Sequence, residues 1–387
     1  MPQHFKPHVK KRFHPLFNKL YHPLNQLLPE SPTLEARGNR PLQMTFEDQL
    51  KALIFFHLEE HVSGRHLLQF MEEDDFAREC VAPTDGIKKS SFFEAINTRG
   101  LDQMQYLFQA LYAKARQKLP SQHTQLGELV AIDGSLINAT LSMHWADYRN
   151  NSKKAKVHLG FDLNRGLPAK VYLTNGKGAE RPFVGQILLP GQTGVLDRGL
   201  QSHQRFDQWQ EQGQFFVCRI RKKTTKTCIE EKELTPGSIV FYDTIVLLGT
   251  PGVNQTEKEL RVVGYRVDNV EYWVATNRYD LTGEEVATVY KLRWNIETFF
   301  AWWKRHLKVY HLIARSEYGL MMQILAGLIT YLLLAIYCRD NHNERVSIKR
   351  VRQLRIGIRN QAHTVWNSVP PPEDSRCQKK SDAYAKS

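Results

Sequence analysis

The sequence lacks the features of an exported or disulfide-bonded protein. Its 387 residues include only five cysteines, an odd number, and no two of them form a C-x-x-C pair of the kind that holds a metal. The N-terminus MPQHFKPHVKKRFHPLF is basic and interrupted by prolines, without the continuous apolar core of a secretory signal. These absences argue against export and favour a reduced, cytoplasmic location.

Long apolar runs are also scarce. Residues 319–338 (GLMMQILAGLITYLLLAIYC) nearly reach the length and apolarity of a membrane span. The run contains Gln323, follows a strongly polar helix, and is not accompanied by a second apolar run of membrane-spanning length. These features favour a helix buried in a soluble core. A membrane span is the alternative, and we expect no membrane partner.

Negative charge is in deficit. The sequence has 53 Lys and Arg against 40 Asp and Glu, a formal net charge of +13, so the surface should attract phosphate polyanions. A basic protein without a nucleic-acid partner is the alternative, because net charge alone discriminates poorly. With 42% hydrophobic residues the chain can bury one large core or two to three smaller ones, which argues against disorder as its main state.

Residues 1–120 have the apolar spacing of helices, and we expect a mainly helical region there. Two helix starts are predicted as capping boxes, one where Thr45 precedes Phe-Glu-Asp and one where Ser91 precedes Phe-Phe-Glu. Lys88 and Lys89 would stand just before the second of these helices. They either face a DNA backbone, as in a helix-turn-helix, or lie in solvent, and the sequence does not separate the two interpretations.

From about residue 126 short apolar runs separated by turns predict an α/β core with three strands first and alternation afterwards. The predicted strands are residues 129–132, 157–161, 169–173, 194–196 and 215–218, and the predicted helices are 182–189 and 201–212. A β-rich block follows at 219–282 and opens with a basic run that includes Arg221, Lys222 and Lys223, which we expect to bind DNA phosphates. Helix returns over 283–340 and continues as a basic region over 341–368, before a polar, proline-led tail at 369–387 that we expect to be disordered.

Three carboxylates stand out by position. Asp133 follows the strand Leu-Val-Ala-Ile, and Asp197 ends the strand Gly-Val-Leu, at the kind of strand exit where ligands gather in open α/β sheets. Glu297 lies in the middle of a predicted helix over residues 286–306 that is rich in aromatic residues. Taken singly, each has an ordinary interpretation, since Asp before Gly often only forms a turn and Glu on a helix often only faces solvent.

The pattern of the helix around Glu297 favours a functional role for this carboxylate over simple exposure to solvent. Tyr290, Arg293, Glu297 and Lys304 fall within roughly 60° of one another at about 100° per residue, so one stripe carries four functional groups. The opposite side would dock the helix on the sheet through Leu292, Ile296, Phe299, Phe300, Trp303 and Leu307.

These residues resemble a known family. The segment YKLRWNIETFFAWWK (290–304) is similar to the Y-x2-R-x3-E-x6-K signature of bacterial DDE transposases of the insertion-sequence family four, and the aspartates in VAIDGS and VLDRG match in order. The resemblance covers roughly residues 45–340 and departs at Ala301, where some relatives carry a second lysine. It implies a ribonuclease-H-like catalytic core (126–218 and 283–340) with a β-rich insertion (219–282), preceded by a helical DNA-binding region (1–120).

The resemblance also implies the activity. Such enzymes cut and paste double-stranded DNA at the inverted-repeat ends of an element, with two Mg²⁺ ions, for which Mn²⁺ substitutes, held by Asp133, Asp197 and Glu297. Asp133 would bridge both ions. Arg293 and Lys304 would hold phosphates and Tyr290 would hydrogen-bond one. A homodimer is the family expectation, as is nucleoid association in the cytoplasm.

Further DNA contacts are predicted less directly. Lys156 and His158 lie on the strand next to Asp133, although a core histidine is as good an interpretation. Trp294 and Trp273 could stack on an unpaired base, but buried packing is favoured for both. Two other functions stay open, namely another metal-dependent nuclease of the same fold and a degenerate transposase that only binds DNA. Inverted repeats flanking the coding region would favour transposition.

Overall fold

The computed structural model describes residues 14–34 and 42–367. The chain begins with helices that match the predicted helical region: α1 (Pro15–Asn25), α2 (Phe46–Leu58), α3 (Gly64–Glu73), α4 (Asp75–Cys80), α5 (Lys89–Thr98) and α6 (Leu101–Lys118). The α/β part follows as β1 (Leu129–Asn138), β2 (Lys154–Asp162), β3 (Leu167–Asn175), α7 (Arg181–Ile187), β4 (Thr193–Leu196), α8 (His203–Glu211) and β5 (Phe215–Arg219). The predicted tail at 369–387 lies outside the described residues.

Four further strands separate this part from the last helices. They are β6 (Lys226–Glu231), β7 (Val240–Leu248), β8 (Leu260–Val267) and β9 (Val270–Thr276). The chain then continues as α9 (Gly283–Leu292), α10 (Trp294–His306), α11 (Glu317–His342) and α12 (Ile348–Asn367).

All nine strands named above belong to one sheet, in the order β3-β2-β1-β4-β5-β9-β8-β7-β6. Strands β1 to β3 pair antiparallel, while β4 and β5 run parallel to β1, which is the ribonuclease-H-like arrangement. The four later strands extend the sheet because β9 pairs antiparallel with β5. The predicted fold class, an α/β core with a β-rich insertion after a helical region, is therefore confirmed, whereas the domain ranges stay predictions.

Helices cover both faces of the core strands. Leu129 and Ala131 of β1 belong to a large hydrophobic cluster that includes the N-terminal helices and α9 to α11. Val130 and Ile132, which point to the other face, pack with the apolar side chains of α7 and α8. The sheet thus fixes one face toward α10, and Asp133 continues that face.

The apolar run at 319–338 lies within α11. This helix is long and apolar enough to cross a membrane by composition, but 89% of its most apolar stretch is buried inside the structure. The buried Gln323 is fully engaged, because its Nε2 donates to the His311 carbonyl at 2.8 Å and its Oε1 accepts from the Ile313 amide at 2.9 Å. The helix therefore serves here as a core helix.

The two predicted helix starts had different outcomes. At Thr45 the hydroxyl accepts from the Asp48 amide and the Asp48 carboxylate accepts from the Thr45 amide, so the capping box is confirmed. The capping box at Ser91 was wrong. Helix α5 begins at Lys89, which places Ser91 inside the helix, and its hydroxyl instead donates to Gln43 Oε1 at 2.7 Å.

The predicted single helix over 286–306 was also wrong, because α9 ends at Leu292 and α10 begins at Trp294. The Arg293 amide donates to the Tyr290 carbonyl, and the Ile296 amide donates to the Arg293 carbonyl, so bonds to the third residue replace the α-helical pattern at this point. Arg293 therefore lies at a junction between two helices, where its own backbone keeps helical dihedral angles (φ −53°, ψ −33°).

Candidate active site

Asp133 and Asp197 lie at neighbouring positions of the sheet. Ile132 of β1 is paired with Leu196 of the parallel strand β4, so each aspartate follows the paired residue of its own strand. Parallel strands bring their carboxyl ends to the same edge, and this pairing joins two residues that are far apart in the sequence. Strand β1 continues past Asp133 to Asn138 rather than ending there.

Asp133 is a carboxyl with too little compensating positive charge. Burial and the nearby carboxylates of Glu180 and Glu297 raise its pKa to about 6, even though the Gly134 amide and Arg293 act in the opposite direction. The Gly134 amide donates to Asp133 Oδ1 at 2.8 Å. An anionic site with a deficit of positive charge results.

Arg293 is the residue on which the three predicted carboxylates converge. Its guanidinium donates to Glu297 Oε1 and stands 5.7 Å from the centre of the Tyr290 ring. Burial lowers the pKa of Arg293, but Tyr290, Glu297 and Asp197 outweigh it, and the net pKa is raised. Since Arg293 also acts on Asp133, one guanidinium lies within the field of all three carboxylates.

Tyr290 and Lys304 fix the surroundings of the aspartates. The Tyr290 hydroxyl donates to Asp197 Oδ1 at 3.3 Å, and burial is the main reason that its pKa is raised to about 12. The Lys304 ammonium donates to Ser135 Oγ and to the Leu136 carbonyl, both at 2.7 Å, and so ties α10 to β1 just beyond Asp133. Burial lowers the pKa of Lys304, and Asp133 opposes that shift.

Glu180 is a fourth carboxylate that the sequence analysis missed. It directly precedes α7, and a Cβ added to Gly134 would lie 2.6 Å from Glu180 Oε1, so a larger residue at 134 would require this carboxylate to shift. Its Oε1 lies 3.2 Å from Lys156 Nζ, which also donates to the Gly178 carbonyl at 3.0 Å. The signal available in the sequence was an acidic residue before Arg-Pro at a predicted helix start.

The chemistry of these side chains fits a divalent cation. Carboxylate oxygens are the ligands that Mg²⁺ prefers. A cation beside Asp133 would also favour the ionised form that burial disfavours. As the side chains are placed, however, no three His, Cys, Asp or Glu within residues 14–34 and 42–367 are grouped closely enough to hold an ion. The Arg293 guanidinium, bonded to Glu297, supplies positive charge there instead.

His158, another of the predicted DNA-contact residues, is buried in the core. His158 is 1% exposed, stacks on Phe183 at 4.3 Å and bonds through Nε2 to Thr174 Oγ1 at 2.9 Å. Burial, helped by Lys156, lowers the pKa of His158 to about 4, which fits the core role left open for it. Its contact with DNA stays a prediction.

The two tryptophans and the basic run are the remaining residues that were predicted to contact DNA. Trp294 is 64% exposed, so the buried packing favoured for it was wrong. Trp273 is half-buried and has Lys226 Nζ 4.5 Å from its ring centre. Arg221, Lys222 and Lys223 are exposed, and Lys222 pairs with Glu271 at 2.7 Å.

Known transposases resemble this chain in sequence. The chain matches the family described as "Transposase DDE domain" over residues 124–333, more than half of its length. It is 29% identical over 229 residues to the "Probable transposase for insertion sequence element IS5377" of Geobacillus stearothermophilus, covering 58% of this chain and 60% of that one. It is 25% identical over 239 residues to the "Putative transposase for insertion sequence element IS4SA" of Synechocystis sp., covering 59% of this chain and 65% of that one.

These matches span about three-fifths of the length of the relatives. Among solved structures, the piggyBac transposase synaptic complex with hairpin DNA aligns with a TM-score of 0.46 and 11% identity, covering 94% of this chain and 84% of that one. On the match over residues 124–333, the chain belongs to the transposase DDE domain family.

Proposed function

We propose that this chain is a DNA transposase of the insertion-sequence family four, in the Tyr-Arg-Glu-Lys signature group. It cleaves double-stranded DNA at the inverted-repeat ends of an element and joins those ends to a new site by cut-and-paste transposition. The observation that supports this most strongly is the pairing of Ile132 with Leu196, which brings Asp133 and Asp197 to neighbouring positions of the sheet. Arg293, which is hydrogen-bonded to Glu297, lies close enough to both aspartates to act on their charges.

Asp133, Asp197 and Glu297 are the residues that would hold two Mg²⁺ ions, with Mn²⁺ as a substitute. When bound, such ions activate a water or a 3′-hydroxyl for attack on a phosphodiester and stabilise the leaving oxygen. Asp133 would contribute to both ions, as the resemblance to the family implies. Glu297 can take this role only after it separates from the Arg293 guanidinium.

The remaining side chains position the DNA and the carboxylates. Arg293, once free of Glu297, presents a planar pair of donors to a phosphate beside the cleaved bond. Tyr290 orients Asp197 through its hydroxyl, and Lys304 holds α10 against β1 and adds positive charge near Asp133. Phosphate contacts of Tyr290 and Lys304 belong to the same proposal. So does a base contact by the exposed Trp294.

The partners follow from the reaction. Two DNA ends must be paired before they are joined, so we propose a homodimer on DNA, in the cytoplasm and associated with the nucleoid. The net charge of +13 supports a polyanionic partner.

The test is cleavage of DNA that carries the ends of the chain's own element, with and without Mg²⁺. The wild type should cut at the ends and transfer them to a target. Asp133→Asn, Asp197→Asn and Glu297→Gln should each abolish cutting while binding of the ends is retained, whereas Glu231→Gln, a change at an exposed carboxylate of β6, should cut normally. Cutting without transfer would identify a nuclease, and binding without cutting by the wild type would identify a DNA-binding module.

A further inference from the structure

A cavity of about 960 Å³ is lined in part by the residues that directly follow Glu180 and Asp197 in the chain. One wall is formed by the segment after β4 and the start of α8, which belong to the core. The other wall comes from the turn between β5 and β6 and from the loop between β7 and β8, which belong to the insertion. The cavity therefore lies where the insertion meets the core.

Four cations line this cavity, namely Arg181, Arg198, Arg221 and Lys223, which together define the cationic groove. Counting only partners within the described part of the chain, none of the four forms an ion pair with a carboxylate. Arg198, Arg221 and Lys223 are also exposed. Their charges are therefore free to meet an anionic ligand.

Two carboxylates line the same cavity, and they do not cancel this charge. Asp207 accepts hydrogen bonds from the backbone amides of Glu257 and Lys258, both at 3.0 Å, so its charge is satisfied by the backbone of the β7–β8 loop. Glu257 is the other one. Four positive side chains against two negative ones leave the cationic groove with a net positive charge.

The cationic groove is joined to the candidate active site through neighbouring residues of the chain. Arg198 directly follows Asp197, and Arg181 directly follows Glu180, whose carboxylate lies against Gly134 beside Asp133. The far end, at Arg221 and Lys223, is the turn that leads from the core into the insertion. A chain-like ligand bound at the carboxylates could therefore continue along the cationic groove.

The lining indicates which ligand this is. Apart from the charged groups, the lining consists mainly of hydroxyl and amide side chains. Val253 supplies its one aliphatic side chain. Such a surface binds repeated phosphates and sugars. Its lining holds no Phe, Tyr or Trp on which a base could stack, and its one ring, the His203 imidazole, is bonded through Nδ1 to the Asn254 carbonyl at 2.7 Å. We propose that the cationic groove binds the phosphodiester backbone of the DNA strand adjoining the bond that is cleaved, without regard to base sequence. This proposal rests on the proposed transposase function.

The test is the salt dependence of DNA binding, because each phosphate contact releases a counterion. Binding of a fluorescent duplex carrying an element end is measured by anisotropy at 50 to 200 mM salt in EDTA, where cleavage does not interfere. In the triple variant Arg198→Gln/Arg221→Gln/Lys223→Gln the slope of log K against log salt should fall by about 2.7, at about 0.9 per contact. Over this fourfold salt range the wild type should lose about 40-fold more affinity than the triple variant.

A charge-matched control removes three cations that already pair with carboxylates elsewhere. In Lys118→Gln/Arg350→Gln/Arg359→Gln the lost partners are Asp340, Glu344 and Glu59. The slope of this control should change by less than one. An unchanged slope in the groove variant would overturn the proposal. An equal fall in the control would also overturn it, since net charge alone would then explain the salt dependence of binding.

Two further measurements keep the outcomes separate. Thermal unfolding of the groove variant should match the wild type, because its substituted side chains are exposed. The control should unfold at a lower temperature, because the Glu59 side chain, 3% exposed, loses its partner Arg359. Inorganic phosphate at constant ionic strength should not displace the duplex, and displacement at low millimolar concentration would mean a small-anion site instead. If the wild type cuts its element ends and the groove variant keeps its slope, only the groove assignment fails. If the wild type binds through the cationic groove but never cuts, the transposase proposal fails alone.

Discussion

Replacing Asp133 by Asn should stabilise the protein at neutral pH in the absence of metal. The pKa of this carboxyl rises from its ordinary value of 3.8 to about 6 in the folded state, chiefly because it is buried. Each pKa unit is worth 1.36 kcal/mol, so ionised Asp133 costs the folded state about 3 kcal/mol at pH 8 as an upper limit. Asn removes the charge and keeps the oxygen that accepts from the Gly134 amide.

The pH dependence has a definite sign. Because the folded pKa is the higher one, the folded state binds the proton more readily, and the cost is fully present above about pH 6. It shrinks as the pH falls and is gone below pH 3.8, where Asp133 is protonated in both states. The advantage of Asp133→Asn should therefore be largest at pH 8 and vanish near pH 4.

The assay is urea denaturation in EDTA at pH 8, 6 and 4. Asp147→Asn is the control of opposite sign. The pKa of Asp147 is lowered, mainly by a hydrogen bond from Lys177, so removing the Asp147 charge should not stabilise the fold. The reasoning is refuted if Asp133→Asn is equal to or less stable than the wild type at pH 8, or if its advantage persists at pH 4.

Three further substitutions test other parts of the site. Arg293→Gln should tighten Mn²⁺ binding, measured by electron paramagnetic resonance, because it frees Glu297. The same variant should cleave less DNA, because a phosphate ligand is lost. Weaker Mn²⁺ binding would show that Arg293 and the metal ion do not compete for Glu297. Gly134→Ala should cost no more than about 1 kcal/mol of unfolding free energy in urea, because the Glu180 carboxylate that the new Cβ meets is the end of a flexible side chain, and Glu180→Ala should restore what is lost; a larger cost, or no restoration, would place the strain elsewhere. Trp294→Ala should change unfolding free energy by less than about 0.5 kcal/mol, and a larger loss would show that this exposed ring packs.

The strands and the positions of the aspartates could be predicted from the sequence. Short apolar runs are a local signal, and an aspartate at the end of such a run is placed by the strand itself. The predicted strand at 129–132 is the buried beginning of β1, and the pairing of Ile132 with Leu196 brings Asp133 and Asp197 together.

The junction at Arg293 could not be predicted in the same way. Tyr290 to Lys304 has helical periodicity on both sides of Arg293, and no proline or glycine marks the break. The break depends on how α9 and α10 pack against the sheet, which is tertiary information. Glu180 was missed for a similar reason, because only the pairing of β1 with β2 and the path from β3 to α7 place it beside Gly134.

The most direct test of the account is Mn²⁺ binding by the wild type and by Asp133→Asn, Asp197→Asn and Glu297→Gln, followed by electron paramagnetic resonance at pH 8. If the three carboxylates form one site, each single substitution should weaken Mn²⁺ binding by tenfold or more, while Glu231→Gln should bind as the wild type does. Wild-type affinity in any one of the three variants would exclude that carboxylate from the site and contradict the convergence on which the proposed function depends.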